Sequence, residues 1–484
     1  MTNTSKGRLG RLVAAVGVVA IATLGAVTIG GPASATDGPN IDPKATGSVT
    51  IHKYQQPAQP TTLPHDGTAL TPEQLKGLQP LEGVTFSIAK VDAVDLATNA
   101  GWTLAEKLTV VAGKVTDGTT TFATTAVSAG ATAADGTLAF PSLGLGVYLV
   151  TETGAGGNPI AVTSPPFLVS VPLPNAGKWL YDIHVYPKNS VTGVSKSVDD
   201  STAFGLGQEV AWTVTGDIPN LAADGQLTKY DIVDALDARL GYVSATVTAK
   251  TADGTSVPLD PADYVLTAPT AGSAGEVKVV ATASGLDKLE AAAGGTVQLK
   301  IVTTVKSIED GSIENSATLY VNDATVKADA VTYWGALKIF KYTGEKTALK
   351  GAQFQIFTSE ADAIAKSDAV VVDGKATFTS PEDGMIVVPG LKAGVSGTDY
   401  WIVETQAPVG YTATAAPTKV TVKTGDIAGA QVVKVHNSQV PAYALPLTGG
   451  NGPLMFATGG GALVLVAVGA AFVIARRKAA AVRA

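Results

Sequence analysis

Gly335-Ala336-Leu337-Lys338-Ile339-Phe340-Lys341-Tyr342 has an earlier counterpart in the same chain, Gly47-Ser48-Val49-Thr50-Ile51-His52-Lys53-Tyr54. Three further pairs follow in order. Leu81-Glu82-Gly83-Val84-Thr85-Phe86-Ser87-Ile88 parallels Leu349-Lys350-Gly351-Ala352-Gln353-Phe354-Gln355-Ile356, and Tyr148-Leu149-Val150-Thr151-Glu152-Thr153 parallels Tyr400-Trp401-Ile402-Val403-Glu404-Thr405. Asn189-Ser190 closes one unit as Asn437-Ser438 closes the other. The offset shrinks from 288 between Lys53 and Lys341 to 248 between Asn189 and Asn437, so the first unit carries extra loop, which surface connections tolerate. Short alternating segments, rich in Val, Thr and Ile and split by Gly, Pro, Asn and Asp, predict an all-β protein of tandem sandwich domains. A third β-rich unit lies between the copies, at 191–333, with strands expected at Val210–Val214, Val297–Thr304 and Ala317–Val321.

The chain has 484 residues, enough for about three domains. Its net charge is −7 and no long basic block occurs, which argues against nucleic acid as a partner. Cysteine is absent, excluding disulfides, thiolate metal sites and cysteine nucleophiles. The four histidines, His52, His65, His184 and His436, are too scattered for a zinc or His-based catalytic motif. Scattered aspartates such as Asp199, Asp200 and Asp234 belong to no calcium-loop motif, so no metal or cofactor is called for. No nucleophile–base constellation suggests an enzyme.

The two ends predict where the protein works. Lys6, Arg8 and Arg11 precede an apolar run and then Ala33-Ser34-Ala35, the form of a secretory signal peptide over 1–35. At the other end, 454–475 is uncharged and long enough to span a bilayer, and Arg476, Arg477 and Lys478 place its end in the cytoplasm. Before it stands Leu445-Pro446-Leu447-Thr448-Gly449. Pro446 holds this segment extended, and Gly449 lets a nucleophile approach the backbone. Pentapeptide, apolar span and basic tail together resemble the sorting signal that sortases cleave in Gram-positive bacteria. The resemblance implies cleavage between Thr448 and Gly449, with the Thr448 carbonyl passing to a sortase thiol.

Strand parity suggests chemistry inside the domains. Residues i and i+2 share a face, so Ile339 goes with Lys341, Tyr400 and Ile402 with Glu404, and Val433 and Val435 with Asn437. If the apolar members point inward, a lysine, a glutamate and an asparagine point inward too and should meet, because an unpaired buried charge is costly. Burial favours a neutral amine and a neutral acid. The acid can then polarise the asparagine carboxamide while the amine attacks it, with proximity supplying much of the barrier reduction. The product is an isopeptide bond and ammonia. In the middle unit Val194, Lys196 and Val198 share parity, as do Ile232 and Asp234, and Asn315, Ala317 and Leu319. Asp231 is the alternative acid there, although its parity opposes that of Ile232.

The segment Gly335–Ser438 resembles the collagen-adhesin B-type (prealbumin-like) domain of Gram-positive pilins, and Tyr400–Tyr411 resembles the pilin E-box. The resemblance implies immunoglobulin-like sandwiches, with a Lys341–Asn437 bond and Glu404 as its promoting acid. The middle unit resembles the collagen-adhesin A-type domain, which implies Lys196–Asn315 with Asp234. The first unit is of the B type and keeps Lys53, Glu152 and Asn189 in matching places. Its E-box is degraded, with Gly154-Ala155-Gly156-Gly157 where the proline-containing tail belongs, so a Lys53–Asn189 bond is left open.

Trp179-Leu180-Tyr181-Asp182-Ile183-His184-Val185-Tyr186-Pro187-Lys188 resembles the pilin motif of backbone pilins, with Ile183 for Val the one departure. In that family the lysine attacks the acyl-enzyme formed from another subunit, which implies an amide between Lys188 and Thr448 of the next protomer. Parity puts Val185, Pro187 and Asn189 on one face, with Tyr186 and Lys188 on the other. His184 and His436 read as half-exposed strand residues.

The expected organisation is a signal peptide over 1–35, an N-terminal pilin domain over 36–190, and a middle domain over 191–333. A C-terminal domain over 334–440 and a sorting signal over 441–484 complete it. The whole resembles the major subunit of sortase-assembled pili of the corynebacterial and actinomycete type, a structural protein supporting adhesion. Implied partners are a pilin-specific and a housekeeping sortase, identical subunits joined head to tail, tip and basal minor pilins, and peptidoglycan. The implied location is the cell wall, after a transient membrane anchor. The alternative is a minor pilin or adhesin binding a host protein or glycan through the first-domain insertions near 61–76 and 116–136.

Overall fold

Along the strand Thr46–His52 alternation buries Val49 and Ile51 and leaves the residues between them partly exposed; carried one residue further, it buries Lys53. The computed structural model describes residues 40–441 apart from 60, 223–224 and 414–415. The expected leader, the sorting pentapeptide Leu445–Gly449 and the apolar span 454–475 lie outside the described residues. No helix among the described residues is long and apolar enough to cross a membrane.

Thr46–His52 is the centre of a three-stranded sheet, parallel to Asp182–Val185 and antiparallel to Thr137–Gly144. A four-stranded sheet, ordered Phe167–Val171, Gly146–Gly154, Thr85–Val91 and Thr124–Ala131, completes the sandwich. Val49, Ile51, Phe86, Ile88, Phe140, Val150 and Ile183 fill the space between. The extra loop of this unit folds into its own small core, where the helix Asn99–Ala105 and the strands Thr109–Val111, Lys114–Thr116 and Thr121–Phe122 bury Leu96, Leu108 and Val115.

The middle unit packs a five-stranded sheet against a larger one. The first runs Val194–Asp199, Glu209–Asp217, Thr296–Val305, Leu240–Lys250 and Ser256–Val257. The second includes Glu276–Ala281, Tyr230–Ala235 and Ser312–Val321, and ends on Ala324–Thr343. That strand runs for 20 residues and continues into the last unit, where it pairs with Met385–Lys392 and lies parallel to Gln431–His436. The second sheet of the last unit is Phe378–Thr379, Gln353–Phe357, Thr398–Gln406 and Thr418–Val422.

The middle and last units are therefore joined through backbone hydrogen bonding. Apolar packing follows the same path, because one buried cluster runs from Trp212 through Trp334 to Tyr400. Trp334 is fully buried and donates its indole N–H to Thr332 Oγ1 at 3.0 Å. Thr332 in turn donates to Asp200 at 2.6 Å, and Lys392 Nζ reaches both Asp200 Oδ1 and its carbonyl oxygen, each at 2.6 Å. Trp334→Ala is expected to cost about 3–5 kcal/mol, the range for deleting a buried indole. Urea unfolding followed by circular dichroism checks this; a midpoint unchanged from wild type would show that the shared strand does not depend on its core packing.

Candidate functional site: three buried lysine–acid–asparagine sets and an outward lysine

Each unit brings one lysine, one acid and one asparagine into its core. In the first, Lys53, which directly precedes the short strand Tyr54–Gln55 paired to the Asn189 strand, has no exposed surface, and neither has Asn189. Lys53 Nζ donates to Asn189 Oδ1 at 2.5 Å, to Glu152 Oε2 at 2.8 Å and to Ser164 Oγ at 2.9 Å. Asn189 Nδ2 donates to Glu152 Oε1 at 2.5 Å. The ammonium also lies 5.5 Å from the centre of the Phe86 ring. Desolvation pushes the Lys53 amine down to about 8, although the nearby Glu152 pulls it back up. The degraded E-box tail therefore leaves Glu152 in place.

The last unit repeats the arrangement. Lys341 Nζ donates to Asn437 Oδ1, to Glu404 Oε2 at 3.4 Å and to the carbonyl of Val435 at 3.3 Å. Asn437 Nδ2 donates to Glu404 Oε1 at 2.7 Å, and Phe354 lies under the lysine as Phe86 does. Burial lowers the Lys341 amine too. In both outer units the lysine and asparagine lie on or directly beside neighbouring parallel strands, and the acid reaches them from the opposite sheet.

The middle unit uses another geometry. Lys196 stands on one sheet, while Asp234 and Asn315 stand on paired strands of the other. Lys196 Nζ donates to Asp234 Oδ2, and both side chains are fully buried. Desolvation lowers the lysine and raises the aspartate. Asn315 lies beside Asp234 and offsets part of that rise, but neither end of its buried carboxamide reaches a partner in hydrogen-bond geometry. A buried amide so placed is costly. The alternative acid, Asp231, instead faces Lys229 Nζ at 3.9 Å.

These sets can do one reaction. A neutral amine beside a carboxamide, with a carboxyl group bonded to both in the outer sets and to the lysine in the middle one, can form an amide and release ammonia. Desolvation supplies the neutral amine and the folded chain holds the reacting atoms together. Nothing in the sets provides for turnover, because the product stays in place.

The neighbouring Lys188 faces elsewhere. Its backbone pairs with Tyr54 and that of Asn189 with Gln55, so adjacent residues point one to each side of the strand. Lys188 is half-buried, and that burial lowers its amine from the ordinary value. The other motif residues frame it. Ile183 is buried in the sandwich, and Trp179 packs on Trp102 of the inserted helix at 5.3 Å between ring centres. Tyr186 stacks on His52 at 4.6 Å, and its hydroxyl accepts from the Leu70 N–H at 2.7 Å.

Sequence reading did not anticipate three features. Ser164 joins the first set, contacting Lys53, Glu152 and Asn189. His52 and His184 are bonded to each other, Nε2 to Nδ1, at 2.9 Å, rather than standing alone. The 61–76 insertion is fastened along the motif strand: the Gly67 carbonyl accepts from the His184 N–H at 2.8 Å, and Asp66 O accepts from Asn175 Nδ2 at 3.0 Å. Gly67 has φ of +80°, and a side chain there would run into Leu173 at 2.5 Å. The repeated Phe86 and Phe354 were visible as a repeat, but not as the rings beneath the lysines.

Comparison with known proteins follows the same division of the chain. Residues 44–190 match the family described as Gram-positive pilin subunit D1, N-terminal domain, and residues 335–436 match the prealbumin-like fold domain family. Fimbrial subunit type 2 of Actinomyces naeslundii is 34% identical over 97% of this chain and 96% of its own. Fimbrial subunit type 1 of Actinomyces viscosus is 30% identical over 96% and 97% respectively. Among solved structures, the full-length major pilin SpaD from Corynebacterium diphtheriae superposes with a TM-score of 0.66 at 28% identity, covering 83% of this chain and 99% of that one.

Proposed function

The chain belongs to the Gram-positive family of fimbrial subunits as a major, shaft-building pilin, and we propose that sortase joins its copies by an amide between Lys188 and Thr448 of the next protomer. Each copy is hardened by intramolecular bonds between Lys53 and Asn189, Lys196 and Asn315, and Lys341 and Asn437, promoted by Glu152, Asp234 and Glu404. The observation that carries this reading is the split between two adjacent residues. Asn189 is sealed in the core on Lys53, while Lys188 turns to the other side of the strand with its amine lowered by burial. A lowered amine leaves the enzyme less deprotonation to perform than an ordinary lysine would.

Export through the 1–35 leader, a transient hold at 454–475, and final transfer to peptidoglycan by a housekeeping sortase fit the same scheme. Tip and basal minor pilins would complete the fibre. A head-to-tail contact does not close on itself, so the product is a filament. The middle-unit bond is supported by the stranded Asn315 carboxamide, which makes sense as a group consumed by reaction. The subunit is thus a substrate of its assembly enzyme, with single-turnover chemistry confined to its own cores.

Fibre material that survives boiling in SDS provides the test. Digestion and mass spectrometry should yield a branched peptide joining Lys188 to Thr448, with nothing beyond Thr448 on that arm. Each subunit should also lack the mass of one ammonia for every closed pair. A branch through a different lysine, or subunits of unreduced mass, would refute the corresponding part of the scheme.

A further inference from the structure

We propose that Ser164 is a fourth catalytic residue of the first-domain cross-linking site, its hydroxyl relaying the amine proton from Lys53 to Glu152 and its backbone N–H stabilising charge on Asn189 Oδ1. This rests on the reading that the first domain closes a Lys53–Asn189 bond. Ser164 is buried, and three of its contacts go to the reacting groups. Its Oγ accepts from Lys53 Nζ at 2.9 Å and donates to Glu152 Oε2 at 2.9 Å, and its N–H donates to Asn189 Oδ1 at 2.6 Å.

The number of partners around Lys53 Nζ explains what the serine does. An ammonium has three N–H groups, and here they meet Glu152, Ser164 and Asn189. After one proton passes to Glu152, two N–H groups and one lone pair are left. The vacated position faces Glu152, so the amine turns about its Cε–Nζ bond until Glu152 and Ser164 hold the two N–H groups and the lone pair faces the Asn189 carboxamide. A lysine held only by the carboxylate would be free to rotate its lone pair away.

The reaction then balances. The Nζ lone pair adds to Asn189 Cγ, and the carbonyl electron pair moves onto Oδ1, which the Ser164 N–H faces. Charge developing there is what a preformed backbone donor stabilises. The acid proton, taken up at Oε2, is carried by a turn of the carboxyl group to the side facing Nδ2 and delivered there, and the second amine proton moves through Ser164 Oγ to the oxygen so freed. Collapse of the adduct restores the carbonyl, expels ammonia and leaves the Lys53–Asn189 amide and an intact Ser164. The one proton left on Glu152 passes to the departing ammonia, which leaves as ammonium and returns Glu152 to its starting carboxylate.

The fold brings Ser164 there for identifiable reasons. The strand Ile160–Val162 pairs with Lys188–Val191, setting Val162 against Ser190 next to Asn189. Two residues later, Pro165 follows Ser164 and restricts it to extended backbone, with Pro166 stiffening the exit. The N–H and the Oγ are thereby held toward the same set.

The test follows closure over time in the full chain made by cell-free translation, with each bond read by digestion and mass spectrometry. The Lys341–Asn437 bond in the same molecules serves as the internal clock. Ser164→Ala should close Lys53–Asn189 about tenfold or more slowly, less than the roughly hundredfold or more usual for losing a proton-transfer group because the direct Lys53–Glu152 contact survives. Ser164→Thr, which keeps a hydroxyl, should recover most of the rate. Closure of Ser164→Ala at the wild-type rate relative to the clock, or equal slowing in both variants, would overturn the proposal. A wild-type chain that closes Lys341–Asn437 but never Lys53–Asn189 would instead overturn the first-domain bond itself.

Discussion

Replacing Lys188 with alanine is expected to collapse the high-mass ladder of SDS-boiled wall extracts to a monomer band. On the proposed scheme the whole polymer is at stake, because a chain without the acceptor amine could still be cleaved at its sorting signal but could not receive the next subunit. Lys188 is the motif lysine, and its half-buried position both fixes its direction and lowers its amine. Lys188→Arg should collapse the ladder as well, since a guanidinium keeps the charge but stays protonated and does not attack an acyl-enzyme. Neither change touches the Asn189 side chain on the other face of the strand, so the intramolecular bonds should still form. An immunoblot against the subunit gives the answer. A ladder surviving in both variants would assign the linkage to another lysine, and no ladder in wild type would favour a singly anchored adhesin.

Glu404→Gln is expected to leave the last domain unbonded, with the chain retaining the mass of one ammonia and melting at lower temperature. Glu404 touches both reacting partners, Lys341 at 3.4 Å and Asn437 at 2.7 Å, from inside the core. Glutamine keeps the shape but cannot take and return a proton. The missing link would have closed a loop of 96 residues, for which chain entropy predicts about 4–5 kcal/mol by analogy with a disulfide. Because the last two units share one strand and one core, that corresponds to roughly 8–20 °C in melting temperature. Calorimetry alongside intact mass separates the two effects. An unchanged mass deficit in Glu404→Gln would remove the carboxyl group from the reaction.

Parity was enough to assemble the outer sets in advance. Lys341, Glu404 and Asn437 each sit two residues beyond an apolar position, and the period of two is a local property of the backbone that needs no partner to be read. The same holds for Lys196, Asp234 and Asn315, and it put Asp234 and Asp231 on opposite faces: Asp234 meets Lys196, whereas Asp231 faces Lys229. Repeated words made the first and last units recognisable as copies.

Other features had no local signature. Ser164 is one serine among many until the pairing of Ile160–Val162 with Lys188–Val191 lays it over Asn189. His52 and His184 are 132 residues apart and meet only because their strands run parallel. The expected boundary at 333/334 falls within the unbroken strand Ala324–Thr343, which alternation alone cannot distinguish from two shorter strands in succession.

The β architecture, the related outer units, the inward parity of the lysines, acids and asparagines, and the placement of Lys188 on the face opposite Asn189 were legible in the chain alone, because all of these follow from residue type and strand period. How the lysines are surrounded, the fastening of the 61–76 insertion to the motif strand, and the sheet shared by the last two units emerge only on folding. Those depend on which distant strands lie side by side, a choice made by the packing of the whole core rather than by any single segment.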